Sequence, residues 1–241
     1  MDPNQAPRHR YRIRFSKSGL LRWISHRDLA TLWERLMRRV KLDLAMTEGF
    51  HPKPKVSFPS ALALGIEGLD EVVEIELRTP MDAADLRLRL QQDRQPGLDF
   101  GSVDAVPQNF GKAKLRETVY IVTLPDDETD DAANAKLEAF RGTESITVQR
   151  KKKTLTFLVA QQVKDLRIVD HSLRFCILAG GASTIRIPEL LEAMGMGDYQ
   201  ARGSLFTRTR VRLHAEIPGT LDADDSPESL APNDATSIAD G

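Results

Sequence analysis

Segments in which apolar residues recur at every second position alternate with segments in which they recur every three or four positions along the first hundred residues. The order of these segments limits the fold more than any other feature. Large apolar residues recur at every second position in 11–15 and 72–77, which is typical of half-buried strands. After Ser25, apolar residues recur every three or four positions, which is typical of an amphipathic helix. Further strands are predicted at 56–58 and 100–106, and a second helix at 83–91. The resulting order, βαββαβ, is that of a ferredoxin-like unit.

The second half varies the same pattern without repeating its residues. Strands are predicted at 117–124, 146–150, 155–160, 173–178 and 207–213, and helices at 132–140 and 188–194. The predicted fold class is therefore α+β, with two ferredoxin-like units in tandem and antiparallel sheets. The predicted organisation is a disordered N-terminus at 1–9, a first domain at 10–107, a second α+β domain at 115–216 and a disordered acidic tail at 217–241.

Charge is unevenly distributed along the chain, although the formal net charge is only -1. Residues 1–60 contain 13 Lys and Arg against 5 Asp and Glu, whereas residues 216–241 contain 7 acidic residues and no basic one. This polarity indicates a basic surface that attracts an anionic partner. The acidic tail is predicted to lie across that surface and to weaken non-specific anion binding.

Cysteine usage and hydropathy bear on the compartment. The single cysteine, Cys176, excludes an internal disulfide and any cysteine cluster for zinc or iron–sulfur binding. No apolar run approaches the roughly 20 residues that cross a bilayer. We therefore expect a cytoplasmic protein without a metal site, although His26, Asp28, Glu48 and His51 have ligand chemistry.

Two predicted strands have arginine at alternate positions. Arg10, Arg12 and Arg14 share one face of the first strand, and that face is expected to meet solvent or an anion. The last strand repeats the pattern, with Arg208, Arg210 and Arg212 on a single face.

The segment Ser25-His26-Arg27-Asp28 admits two interpretations. The ordinary histidine pKa, about 6.5, suits proton transfer, with Asp28 orienting the ring of His26, so these two are the candidate catalytic residues. Alternatively, Ser25 or Asp28 caps the following helix and His26 only packs. Spacing alone does not decide between them.

The segment 49–55, Gly-Phe-His-Pro-Lys-Pro-Lys, is predicted to form a stiff extended loop, because each proline disfavours helix in the residue before it. Phe50 either stacks on a base or anchors in the core. The cations of the loop suit phosphate recognition. We expect the loop, the first arginine strand and the histidine turn to converge in one groove for RNA or another phosphorylated substrate. The candidate binding residues are Arg12, Arg14, Lys17, Arg22, Ser25, Phe50, His51, Lys53 and Lys55.

Several motifs together resemble the bacterial radical-SAM-linked family, a domain of unknown function. Its Ser-His-x-Asp hallmark falls on Ser25, His26 and Asp28, and its Gly-Phe-x-Pro-x-Pro-Lys hallmark on 49–55; Arg12–Lys17, Gly19–Leu29 and Leu62–Gly68 add to the likeness. The resemblance is strong over roughly the first 110 residues. It implies a stand-alone member that works with a radical-SAM protein, and that partner would hold the iron–sulfur cluster and S-adenosylmethionine.

The leading hypothesis is an accessory module of a radical-SAM system that binds RNA or another phosphorylated substrate through a basic face. One alternative is an RNA-processing or other enzyme with His26 and Asp28 as a proton-transfer pair. The element order is similar to that of tandem ferredoxin-like CRISPR repeat endonucleases, which is a likeness of fold only. The other alternative is a protein-binding adaptor.

Overall fold

The computed structural model describes residues 9–181 and 183–217, which form a mixed α+β fold. The strands are β1 (His9–Lys17), β2 (Val56–Ser57), β3 (Ile66–Leu77), β4 (Leu98–Ala105), β5 (Leu115–Thr123), β6 (Ser145–Arg150), β7 (Lys153–Leu158), β8 (Val163–Val169), β9 (Ser172–Leu178) and β10 (Phe206–Leu213). The helices are α1 (His26–Arg39), α2 (Ala83–Gln91), α3 (Asp130–Arg141), α4 (Val159–Gln162) and α5 (Ile187–Ala193), and a 3₁₀ turn spans Gly19–Trp23.

Eight strands form one large, mostly antiparallel sheet. Its order is β4-β1-β3-β10-β5-β9-β8, and the short β2 also pairs with β3. The β3–β10 pair is parallel and joins Phe206, Thr207 and Arg208 to Ile66, Glu67 and Gly68. The last strand therefore returns to the first half of the chain and makes the sheet continuous across the predicted boundary at 107–115. Strands β6 and β7 form a separate hairpin.

Two large apolar cores lie against this sheet, one mainly from each half of the chain, and a small third cluster joins Val72 to Val211 and Leu213. In the first, the alternating residues Ile13 and Phe15 of β1 pack with Trp33 and Leu36 of α1. In the second, Tyr120 and Phe175 pack with residues of α3 and α5. The two-residue period of the strands and the 3.6-residue period of the helices each collect apolar side chains on one face. These faces pack together between the sheet and the helices, and their burial stabilises both halves.

Helix α1 begins where its sequence indicates. The Ser25 hydroxyl accepts a hydrogen bond from the Asp28 backbone N–H at 3.2 Å, as an N-cap residue does. The buried positions Leu29, Trp33 and Leu36 follow the predicted three-and-four spacing. The capping interpretation of Ser25 is therefore confirmed.

Some predicted elements need correction. Strand β8 and the short α4 were not predicted, and the strand predicted at 155–160 spans 153–158. The predicted terminal segments lie outside the described residues apart from His9, which begins β1, and Ile217, which is buried. In the described part of the chain, no helix is both long enough and apolar enough to cross a membrane.

Candidate functional site

A cavity of about 560 Å³ lies between the N-terminal ends of α1 and α5, and His26 lines it. Strands β5, β9 and β10 contribute Tyr120, Ile177 and Arg208 to its wall. The chain segment 59–64, which precedes β3, also lines it. We call this space the central cavity, because residues of both halves of the chain surround it.

The His26 ring contributes an unpaired polar atom to this region. Its edge packs against Phe58, with 5.1 Å between the ring centroids. Its Nδ1 atom is buried and has no hydrogen-bond partner within residues 9–181 and 183–217. Burial lowers the pKa of His26, and the positive charges of Arg208 and Lys17 lower it further against the opposing effect of Glu71. The imidazole is therefore neutral near pH 7.

Three buried charged side chains, which we call the buried charge cluster, lie close to His26. The Arg208 Nε donates to the Glu71 carboxylate at 2.7 Å, and a second bond joins Nη2 to the other oxygen. Lys17 has no exposed surface, and its Nζ donates to the Ile24 carbonyl at 3.0 Å. Burial lowers the pKa of Lys17, while Glu71 opposes this effect. Two cations and one carboxylate leave one excess positive charge.

Arg208 also fixes the segment that lines the cavity. Its Nη1 donates to the Ser60 hydroxyl at 2.9 Å and to the Ala61 carbonyl at 3.1 Å. Because these bonds occupy the guanidinium, Arg208 positions the wall of the cavity and supplies its positive field rather than a free donor.

Asp28 does not lie where the proton-transfer hypothesis requires it, beside the ring of His26. Its carboxylate accepts a hydrogen bond from the Ser25 hydroxyl at 2.7 Å, and Asp28 is exposed. Among the described residues, no hydrogen bond joins this carboxylate to His26, whose Nδ1 has no partner. Ser25 and His26 line the central cavity, whereas Asp28 belongs to the helix cap.

The prediction that the arginines of β1 meet solvent or an anion is wrong for Arg12 and Arg14, whose partners are carboxylates of this chain, whereas the side chain of Arg10 is 18% exposed. Arg12 is 3% exposed and donates to Glu74 at 3.0 Å. Arg14 pairs with Asp70 at 2.5 Å and with Glu216 at 3.0 Å. Both guanidinium groups are neutralised inside the protein, where they join β1 to β3 and to the end of the described chain.

The three arginines of β10 do not share one face either. Arg208 pairs with Tyr120 and Arg210 with the adjacent Val119, because the register shifts between them. A residue is thereby added on one strand, which reverses the side on which the following residues project. Arg210 consequently lies 3.8 Å from Asp70, on the same side as Arg14.

Arg22 lies in the 3₁₀ turn beside the cavity-lining segment. Its guanidinium lies 5.2 Å from the centroid of the Trp23 ring and 3.5 Å from the Glu67 carboxylate. Its carbonyl accepts the Gly65 N–H at 2.8 Å. Arg22 therefore connects the turn to the chain next to the cavity, and its own charge is partly paired.

Residues 45–55 form a pinned loop, which we call the proline loop. The Thr47 N–H donates to the Lys53 carbonyl and the Lys55 N–H to the Ala45 carbonyl, both at 2.8 Å. The Lys53 N–H donates to the Thr47 hydroxyl at 2.9 Å. Pro54 is buried, and these hydrogen bonds hold the base of the loop.

Phe50 at the tip of this loop is fully exposed, with a relative accessibility of 102%. The interpretation of Phe50 as a core anchor is therefore wrong. Gly49 before it has a φ of 116°, a conformation that favours glycine. His51 and Lys53 are also exposed.

A second depression, of about 430 Å³, lies at the base of the proline loop and is called the basic cleft here. Arg10, Lys55 and Lys112 line it together with Glu74 and Glu76. Lys55 lies 3.7 Å from Glu76, and Glu74 pairs with Arg12 at 3.0 Å and with Arg10 at 3.9 Å. Lys112 is exposed and forms no ion pair with any residue of 9–181 or 183–217. The cleft is therefore positively charged.

The predicted convergence into one groove is not observed. In the β1–β3 ladder, Arg10 lies opposite Glu76 at one end and Lys17 lies opposite Gly68 at the other. Arg10 and Lys17 are seven positions apart along the strand, which corresponds to about 23 Å. The basic cleft and proline loop thus lie near one end of β1, and the central cavity with its buried charge cluster lies near the other.

Sequence reasoning missed Glu71, Tyr120 and Lys112. The sequence does contain a signal for Glu71, because it lies on the same face of β3 as the buried residues Val73 and Ile75. An acid on an apolar face requires a buried cation as partner. Within the described ranges, no three His, Cys, Asp or Glu side chains are grouped closely enough to hold a metal ion.

Residues 10–187 match the family described as "Uncharacterized protein conserved in bacteria (DUF2344)". The chain belongs to this family. The match extends from β1 of this DUF2344 protein to the start of α5, so it includes the strands of the large sheet other than β10, which lies beyond it. No curated protein is similar enough to the chain to count as a relative.

Three solved structures illustrate a partial likeness of this DUF2344 protein to larger chains. They are a Cbf5-Nop10-Gar1 complex (TM-score 0.40, 15% identity), an H/ACA RNP bound to a substrate RNA containing 2'-deoxyuridine (0.37, 14%) and an archaeal box H/ACA sRNP Nop10-Cbf5 complex (0.36, 13%). Each alignment covers 83% of this chain and 48%, 47% and 47% of the respective matched chains. The chain thus spans about half the length of those chains, and a likeness at this level does not indicate function.

Proposed function

We propose that this protein is an accessory module of a radical-SAM system that binds single-stranded RNA through the proline loop and the basic cleft. The exposure of Phe50 is the observation that supports this function most strongly. A fully exposed phenylalanine is unfavourable in water, yet the loop that presents it is held by backbone hydrogen bonds. Such a residue gains free energy only when a partner covers it.

The surroundings of Phe50 favour a nucleic-acid strand as that partner. Base stacking on an aromatic side chain contributes about 1–3 kcal/mol per base, and nearby cations neutralise the phosphates. Lys53 is exposed on the same loop, and Arg10, Lys55 and Lys112 line the cleft at its base. A strand would therefore stack one base on Phe50 and place its phosphates along these cations.

Arg12 and Arg14 have a structural role in this account. Because their guanidinium groups are already paired with carboxylates, binding a phosphate there would require buried ion pairs to break. Phe50, His51, Lys53 and Lys55 remain from the predicted set, joined by Lys112 and by Arg10, whose side chain is 18% exposed and lies 3.9 Å from Glu74.

The radical-SAM partner is proposed from the family resemblance of the two hallmark segments. The partner would hold the iron–sulfur cluster and S-adenosylmethionine, and this chain would hold the RNA. Size-exclusion chromatography of the purified chain with the radical-SAM protein of the same bacterium tests this part. Co-elution supports it, and separate elution at micromolar concentrations counts against it.

The strand order supports the tandem ferredoxin-like description. The first half has the order β4-β1-β3-β2, and the second half has the order β10-β5-β9-β8. Both correspond to fourth, first, third and second strand of a βαββαβ unit, if the β6–β7 hairpin is counted as an insertion. We therefore retain two domains, 10–107 and 115–216, as a proposal.

Fluorescence anisotropy with a labelled 12-nucleotide single-stranded RNA tests RNA binding. Phe50→Ala should weaken binding about 5- to 100-fold, because it removes the stacking surface. Leu88→Ala is the matched control, since Leu88 is also apolar and exposed but lies on α2. Equal affinity of the wild type and Phe50→Ala would contradict the proposal.

A further inference from the structure

The central cavity is separate from the proposed RNA surface and has properties of its own. Its volume, about 560 Å³, lies within the range of about 300–1,000 Å³ that is usual for small-molecule sites. Most of its wall is apolar, with Leu62, Ile177 and Ile187 among the lining residues. Such a wall favours a ligand with an apolar body.

The net charge at the cavity favours negative charge in the ligand. The buried charge cluster has one excess positive charge beside His26. Arg186 lines the cavity and is exposed, so its charge attracts anions from solvent. None of the described residues that line the cavity is acidic. A cationic ligand would therefore meet repulsion and no carboxylate from this described wall.

His26 lines the cavity and lies beside the excess positive charge, which indicates where the anionic group of the ligand is bound. Its Nδ1 atom is buried without a hydrogen-bond partner among the described residues, so it reaches a ligand only after the imidazole turns toward the cavity. A buried polar atom without a partner costs about 1–3 kcal/mol, and a ligand that pairs with it after this turn recovers that free energy. Because the nearby excess charge is positive, an electron-rich ligand atom is preferred there. His26 would then have its proton on Nδ1 and donate it to an acidic oxygen of the ligand.

We propose that the central cavity is a binding site for a small organic anion that consists of an apolar body and one terminal carboxylate or phosphate group. After the imidazole of His26 turns toward the cavity, the anionic oxygen accepts its Nδ1–H, and the body lies against Leu62, Ile177 and Ile187. Arg208 acts as a positioning residue, since it holds Ser60 and Ala61 in the wall. This site is independent of RNA binding at the proline loop, which lies near the other end of β1.

Displacement of the fluorescent organic anion 1-anilinonaphthalene-8-sulfonate from the full-length protein tests this proposal. Competitors are octanoate, octyl phosphate and octanol, which share a body and differ in the end group. At least one of the two anions should bind about tenfold or more tightly than octanol, and the tighter anion identifies the acidic group. Equal binding of all three, or no binding of the fluorescent probe, would overturn the proposal.

Two variants locate the site. His26→Leu keeps an apolar side chain beside Phe58 and should lower the affinity for the preferred anion about tenfold while octanol binding stays the same. Ala63→Trp should block the cavity, because Ala63 lines it, whereas Ala84→Trp on α2 is the matched control. Unchanged anion binding in both His26→Leu and Ala63→Trp would overturn the assignment.

The RNA proposal can fail separately from this one. Phe50→Ala should leave displacement by octanoate and octyl phosphate unchanged. If the 12-nucleotide RNA displaces the probe from both the wild type and Phe50→Ala, the cavity is an RNA site and the small-anion assignment is wrong. If RNA fails to bind but the anions do, only the RNA function is refuted.

Discussion

Arg208 and Glu71, 137 residues apart in the sequence, form a buried two-bond ion pair between β10 and β3. The pair lies where the two halves of the sheet meet, next to the only parallel strand contact among the described strands. It also ties the last strand to the wall of the central cavity through Ser60. Stability of the whole fold and shape of the cavity therefore depend on the same contact.

Removal of one partner should be strongly destabilising. Glu71→Gln leaves Arg208 and Lys17 buried without a counter-charge, and breaking a buried pair costs about 3–5 kcal/mol. Glu34→Gln is the control, because Glu34 forms only an exposed pair with Arg38 at 3.9 Å and should cost less than about 1 kcal/mol. Urea denaturation measures both. Similar losses in the two variants would show that the buried pair has no special role.

Gly68→Ala should disturb the same pair by steric contact. A Cβ at this position would lie 2.5 Å from Oε1 and 2.6 Å from Cγ of Glu71. The carboxylate must move away from Arg208, and overpacking of this kind costs about 1–3 kcal/mol. Gly142→Ala is the control, since nothing lies within 4 Å of the Cβ there. Thermal unfolding of both variants checks this, and equal stability would argue against the close packing.

Most of the helices and strands could be predicted from the sequence, because their apolar residues recur at regular intervals and lie on one buried face. Helix α2 matches its predicted bounds, and α1 begins after its cap residue. Strand β8 escaped prediction because charged residues and a register shift between Lys164 and Arg167 break its alternation. Local patterns report which face a residue occupies, and an irregular strand lacks that pattern.

The site could be predicted only in part, because pairing partners lie far away in sequence. Arg12 and Arg14 lie on one face of β1, as alternation predicts. The carboxylates of Glu74 and Asp70 that neutralise them, however, belong to another strand. Counting charges over residues 1–60 therefore overstates the free positive charge. Lys17 shares the parity of the buried Phe15, which is a local sign of its burial.

The stability of the protein should fall in mild acid partly through His26. Its pKa is lowered in the folded state, mainly by burial, so the unfolded state takes up a proton first as the pH falls below about 6.5. Folding is therefore disfavoured progressively between that pH and the lower folded pKa. His26→Gln removes this contribution. Chemical denaturation at pH 7.5 and 5.5 should show a smaller loss for His26→Gln, and parallel losses would refute the assignment.

Cys176 should be unreactive in the native protein. Burial raises the pKa of its thiol to about 11, with the carboxylates of Asp165 and Glu117 adding to the effect. At pH 8 the thiolate that reacts with iodoacetamide is nearly absent. Mass spectrometry should find little alkylation of the folded chain and complete alkylation in urea. Native labelling at the rate of free glutathione would contradict this burial.

The salt dependence of RNA affinity tests the central claim most directly. For the wild type, the logarithm of the binding constant should fall linearly with the logarithm of the salt concentration, with a slope of about -0.7 per phosphate contacted. Lys53→Glu with Lys112→Glu should reduce that slope by about 1.4 and weaken binding at least about tenfold at low salt. The control pair Arg87→Glu with Lys152→Glu makes the same charge change at exposed sites elsewhere and should alter neither quantity. Equal effects of the two pairs, or wild-type binding without salt dependence, would contradict the account.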